Sequence, residues 1–235
     1  MSEGRTEILG ALRRALQRSA EDGGAEQAEA RLAGHARNLV PARAALPRAG
    51  MLRLFEDQAK ALSASVAHVA GAAQVPAAVA AFLKSENLPA ELRLAPDPEL
   101  GALPWQDQPL LQVSEGPARE SDPVSVTGAL AGIAETGTLM LRSGPEGPTT
   151  LNFLPENHIV VLPAARVLAA YEDGWDLIRE RFGAGTMPRT VNFITGPSRT
   201  ADIEQTIQLG AHGPRRLHII LIDGEIDRGT GDTTG

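Results

Sequence analysis

The sequence predicts an α/β fold: an open, mostly parallel sheet with flanking helices, preceded by a helical N-terminal arm. Three observations carry this. The runs His158-Ile-Val-Val-Leu162, Val191-Asn-Phe-Ile194 and His218-Ile-Ile-Leu-Ile222 are short, β-rich and almost unbroken in hydrophobicity. Strands buried on both faces of a parallel sheet have this composition. Between the first two, Val167, Leu168, Tyr171, Trp175, Ile178 and Phe182 form one apolar stripe at helical spacing. Between the second and third, Ile203 and Ile207 mark a shorter helix. Strands alternating with helices imply right-handed crossovers and an open sheet.

Composition narrows the function. The chain has 235 residues, 43% of them hydrophobic but only 3% aromatic, so aliphatic side chains and Ala must fill the core. No apolar run approaches the ~20 residues that span a bilayer. The start, MSEGRTEILGALRRAL, lacks the basic and long apolar regions of a secretory signal. A cytoplasmic protein is expected. There is no cysteine, which excludes disulfides, thiol nucleophiles and thiolate-held iron–sulfur or zinc centres within this chain. Of the five histidines, His35, His68, His158, His212 and His218, no two have metal-binding spacing on one helix face, and no metal site is expected. A net charge of −7 without a basic stripe argues against nucleic acid as a partner.

The remaining elements follow in order. Ile8, Leu9, Leu12 and Leu16 make the first 20 residues an amphipathic helix. Residues 21–50, rich in Gly, Ala, Arg and Pro, read as a linker or arm, so residues 1–50 form an N-terminal extension. Such an arm suits its own domain, a partner or a second copy of the chain. Phe55, Ala59, Leu62, Val66 and Val69 predict a helix over 51–71, and Pro76 opens another that carries Phe82 and Leu83. Residues 91–95 and 110–113 read as short strands, and 138–142 as a further strand of the sheet, with Leu139 and Leu141 facing one way and Met140 the other. The main α/β domain covers 51–223. The tail at 224–235 has little apolar content and is expected to be disordered.

Two glycine-punctuated runs hold most of the site chemistry: GIAETGTLMLRSGPEGPTTLNFLP at 132–155 and ITGPSRTADIEQTIQLGAHGP at 194–214. In the first, Glu135 stands beside Thr136, Gly137 and Thr138 just before a strand. It is a candidate catalytic carboxylate, or a group receiving backbone N–H donors in a tight turn. In the second, Gly196, Ser198, Arg199, Thr200 and Asp202 leave the carboxyl end of a strand, the usual ligand position in open α/β sheets. Ser198 or Thr200 can cap the following helix, whose N-terminus would attract an anion. Asp202 and Glu204 would oppose that anion, so capping alone accounts for these residues equally well. His212, in a loop before Gly213-Pro214, is the second catalytic candidate, with a solvated or structural role as its alternative. No Walker loop, nucleophile elbow or dinucleotide fingerprint is present.

GIAETGTLML, HIVVLPAARV and ITGPSRTADIEQTIQLGAHGPRRLHIILID closely resemble the LUD domain of the LutC-type lactate-utilisation family. The resemblance covers about residues 123–223. It implies a NagB/RpiA/CoA-transferase-like α/β domain and a role in oxidising L-lactate to pyruvate with two partner proteins. The iron–sulfur clusters of that system belong to the partner proteins, which agrees with a cysteine-free chain. No catalytic residue carries over from the family. Two readings stand: an accessory subunit of a lactate-oxidising complex, or a small-molecule binder or enzyme acting on an anionic ligand of phosphate, CoA or folate type. A homo-oligomer stays open.

Overall fold

Six parallel strands form the principal sheet of the computed structural model. The structure describes residues 3–15, 24–183, 185–201, 207–209 and 212–223. Contacts divide the chain into a first unit ending at Leu39 and a second beginning at Val40. The first unit holds helices α1 (Glu3–Ala15) and α2 (Gly24–Gly34). Helix α2 corrects the expected linker over 21–50. Its sequence GAEQAEARLAG is dominated by strong helix formers, which need no apolar stripe, and none of its residues is buried. The expected disordered tail lies outside the described residues.

The second unit opens with α3 (Arg48–Ala61), followed by β1 (Ser65–Val69). The single helix expected over 51–71 is therefore two elements. Ser63 turns the chain with a φ of 68°, and the β-branched Val66 and Val69 fall in the strand. Helix α4 (Val75–Ser85) carries Pro76 in its first turn, as expected. Next come β2 (Glu91–Leu94), the one-turn helix α5 (Pro98–Gly101) and β3 (Gln112–Glu115), the last displaced from the expected 110–113. Strands β4 (Val124–Gly128), β5 (Ala131–Ile133), β6 (Thr138–Arg142) and β7 (Asn157–Pro163) follow. After them come β8 (Val167–Leu168), α6 (Tyr171–Phe182) and β9 (Val191–Ile194). The unit closes with β10 (Arg199–Ala201), β11 (Ile207–Leu209) and β12 (Arg216–Ile222).

The α/β prediction holds, but the strands divide between two sheets. β1, β12, β7, β4, β2 and β3 pair in parallel throughout. β6 and β9, both expected in that sheet, instead belong to a second sheet of order β8-β5-β6-β9, where β6 is antiparallel to both β5 and β9. Val167 and Leu168 form β8 rather than the first turn of α6. Of the helix expected from Ile203 and Ile207, Ile203 lies outside the described residues. β10 pairs antiparallel with β11, and Ile207 is a strand residue.

The two faces of the parallel sheet bury different layers. Val124, Val126, Ile159, Val161, Ile220 and Ile222 pack with Val79, Phe82 and Leu83 of α4. On the other face, Val160, Leu162, Leu217, Ile219 and Leu221 pack with Phe55 of α3 and with Leu139 and Leu141 of β6. Met140 points the opposite way, to Ile178 of α6, completing the alternation expected for that strand.

Candidate functional site

The direction of chain travel reverses between β2 and β4. From β2 the chain moves outward to β3, whereas from β4 it moves through β7 to β12. Ligands in open α/β sheets bind beyond the carboxyl ends of the strands that flank such a point. A cavity of about 250 Å³ occurs there, lined by Ala95 and Asp97 beyond β2 and by Thr127, Gly128 and Ala129 at the end of β4. Arg142, Glu146, Asn152, Arg166 and Arg181 complete its polar wall together with Glu99.

Its charges are arranged in pairs that leave donors over. Arg166 places one nitrogen, Nη2, 2.5 and 2.6 Å from the two Glu99 carboxylate oxygens. Its Nε and Nη1 have no partner among the described residues. Arg142 likewise uses Nη2 on Glu146 and lies over the ring of Phe182. Arg181 is exposed and has no ion-pair partner among the described residues. Asp97 accepts the Glu99 backbone N–H at Oδ1, 2.9 Å away, while Oδ2 faces Gly128, where a β-carbon would come within 3.0 Å. Burial raises the Asp97 carboxyl above its usual range, and the negative Glu99 and Glu146 act in the same direction. Asn152 is only 4% exposed, and its carboxamide makes no hydrogen bond among the described residues.

Asn152 also lines a second cavity, of about 240 Å³, with Phe153, His158, Phe193, Thr195, Gly196, Ser198, His212 and Leu217. The structure thus brings together three of the sequence candidates, Gly196, Ser198 and His212. The Ser198 N–H is committed to the Pro214 carbonyl at 2.8 Å, so it is not a free anion donor. His158 is wholly buried in this wall, and burial lowers its pKa to about 3.

Glu135 lies elsewhere and lines neither cavity. It is 6% exposed, Oε1 accepts the Tyr171 N–H at the start of α6 at 3.2 Å, and Oε2 is buried without a partner among the described residues. Thr138 Oγ1 sits 2.7 Å from Thr136 Oγ1, 2.9 Å from the Tyr171 hydroxyl and 2.7 Å from Thr195 Oγ1. These hydroxyls satisfy one another inside the fold. Gly137 and Gly196 both meet the end of α3. A β-carbon on Gly137 would lie 2.3 Å from the Ala59 nitrogen, and one on Gly196 2.4 Å from the Leu62 carbonyl oxygen. Arg199 is exposed and donates to the Ser63 hydroxyl. Thr200 lies in β10, so the expected helix cap at Ser198 or Thr200 is replaced by a strand. Asp202 and Glu204 lie outside the described residues. Among the described residues, no group of three or more His, Asp or Glu is arranged to hold a metal ion, and no helix is long and apolar enough to cross a membrane.

No sequence pattern marks Asp97, Arg142, Asn152, Arg166 or Arg181. Arg142 ends β6, Asp97 and Arg166 lie three residues past β2 and β7, Asn152 lies in the turn before β7 and Arg181 in the last turn of α6, so their meeting is readable only from the fold.

Comparison with known proteins places these elements in a family. Residues 118–222 match the LUD domain model. A lactate utilization protein C from Deinococcus radiodurans is 32% identical over 186 residues, 77% of this chain and 84% of that protein. The chain belongs to the LUD-domain family of lactate utilization protein C. The LUD match begins before β4 and ends with β12, so it includes both glycine-punctuated runs and every cavity residue from Thr127 onward. Asp97 and Glu99 reach the LUD cavity from outside the matched segment. An uncharacterised protein from Neisseria meningitidis serogroup B is 43% identical over 96 residues, 41% of this chain and 40% of that protein. The lactate utilization protein C of Bacillus subtilis is 34% identical over 42% of each chain. These two matches span about two-fifths of the relatives' length. The crystal structure of a DUF162 family protein from Deinococcus radiodurans superposes with a TM-score of 0.57 at 26% identity, covering 76% of this chain and 99% of that one.

Proposed function

We propose that this chain is a subunit of a cytoplasmic system that oxidises L-lactate to pyruvate, acting with iron–sulfur partner proteins. The observation that carries the reading is the Deinococcus relative named lactate utilization protein C, matched over 84% of its length. The chemistry of the chain is consistent with a division of labour. Without cysteine it has no thiolate for a cluster, and electron transfer would fall to the partners. The test is growth of the source organism on L-lactate as sole carbon source after deletion of this gene, with co-purification of the tagged full chain from lactate-grown cells. Loss of growth on lactate, but not on pyruvate, and recovery of iron–sulfur proteins are expected. Unimpaired growth on lactate would overturn the reading.

The first cavity favours a second, compatible reading: the chain also binds a small anion. Three arginines wall a space at the reversal of strand order, two of them with donors to spare and Arg181 unpaired among the described residues.

A further inference from the structure

We infer that the cavity between β2 and β4 binds a small anion that also carries a hydroxyl, with the anionic group on the arginines and the hydroxyl on Asp97 and Asn152. This rests on the anion-binding reading above and is independent of the lactate pathway.

Size sets the first limit. Small-molecule pockets usually measure about 300–1,000 Å³, and this one measures about 250 Å³. It suits a ligand of few heavy atoms. Charge sets the second. Arg142, Arg166 and Arg181 face Asp97, Glu99 and Glu146, and two of the carboxylates are occupied by Nη2 contacts from Arg142 and Arg166. The unused guanidinium nitrogens are donors without acceptors among the described residues, the arrangement that captures carboxylate or phosphate oxygens.

Selectivity comes from the opposite wall. Asp97 Oδ1 is committed to the Glu99 N–H, but Oδ2 is turned to Gly128, and the lack of a side chain there keeps the approach to that oxygen open. Asn152, a residue only 4% exposed, lines the cavity and brings a carboxamide with no hydrogen-bond partner among the described residues. A carboxamide facing a cavity offers both a donor and an acceptor, and a ligand hydroxyl answers either. An anion lacking a hydroxyl leaves these groups unanswered, and such sites discriminate strongly against the deficient analogue. Carboxylates and phosphate esters share this chemistry.

The experiment is calorimetric titration of the full chain with matched pairs: L-lactate against propionate, and glycerol 3-phosphate against propyl phosphate. The hydroxylated member of at least one pair is expected to bind about tenfold or more tightly than its partner, and the pair that shows it identifies the anion. Asp97→Asn keeps an oxygen for the Glu99 N–H and is expected to abolish the preference without loss of the folded state. Arg181→Gln, an exposed change, is expected to weaken both members of the pair equally by about tenfold. Equal binding of both members overturns the inference while leaving the anion-binding reading in place. Absence of saturable binding by all four overturns both.

Discussion

The Thr127 hydroxyl lies 2.8 Å from Nε2 of His158 across neighbouring strands β4 and β7, while Nδ1 of the same ring is buried without a partner among the described residues. Thr127 borders the first cavity and His158 the second, so this pair stands in the polar wall between them. Burial holds the imidazole neutral, with its pKa lowered to about 3. His218, on the opposite face of the sheet, stacks on Phe82 at 4.1 Å and is lowered to about 4, also by burial.

Both histidines make the fold sensitive to acid. Their native pKa values lie below the unfolded value of about 6.5, so the unfolded chain takes up protons first as pH falls. Their contribution is complete above pH 6.5 and is lost as pH drops toward 4 and then 3. At pH 5 the loss is about 2 kcal/mol for each ring. Urea denaturation at pH 7, 6 and 5 measures it. His218→Gln should flatten the fall in stability, and an unchanged slope would refute the assignment.

His68 is expected to act with the opposite sign. Partial burial lowers its pKa, but hydrogen bonds to Asp223 and Glu56, at 3.1 and 3.0 Å, outweigh this and raise it overall. The stabilisation is complete below the unfolded pKa of about 6.5 and vanishes as pH rises through the higher native value. Because the ring is 43% exposed, it amounts to less than about 1 kcal/mol. His68→Gln should therefore lower the melting temperature at pH 6 and leave it unchanged at pH 9. An equal effect at both would reject the charged pair.

Gly137 and Gly196 are expected to be intolerant of any side chain. Their φ angles are 64° and 78°, and an added β-carbon would meet α3 or its C-cap Leu62 at 2.3 and 2.4 Å. Alanine at either position should cost about 3 kcal/mol or more, combining backbone strain with steric displacement. Gly71→Ala is the control, since nothing lies within 4 Å of its β-carbon position, and it should change stability by less than about 1 kcal/mol. Similar chemical-denaturation midpoints for all three variants would contradict this account.

Phe55 joins α3 to both sheets. It is fully buried, beside Leu162 of β7 and against the Gly132 backbone of β5, where a β-carbon would come within 2.8 Å of its ring. Phe55→Ala should destabilise the second unit by about 3–5 kcal/mol. A loss below about 1 kcal/mol, read by guanidinium denaturation, would mean that the layers do not depend on this ring.

Local sequence determined the strands themselves. The runs at β7, β9 and β12 are rich in β-branched residues and could be read without any partner, because intrinsic fit to a buried pleated surface is encoded residue by residue. The first helix, the Pro76 helix and the alternation of Leu139, Met140 and Leu141 were legible for the same reason. So was the family, through the two glycine-punctuated runs.

Tertiary structure alone decided which sheet each strand entered. β6 and β9 look as apolar as β7, but their partners are one another, and pairing depends on segments far apart in the chain. The glycines at 137 and 196 stood out in the sequence, yet only packing showed that both admit α3 and the turn that follows it. Asp97, Arg142, Asn152 and Arg166 carry no local signal, because no short-range pattern links them. They meet in one cavity because β6 and the segments flanking β7 pack beside the point where strand order reverses between β2 and β4, a relation that exists only after both sheets have formed.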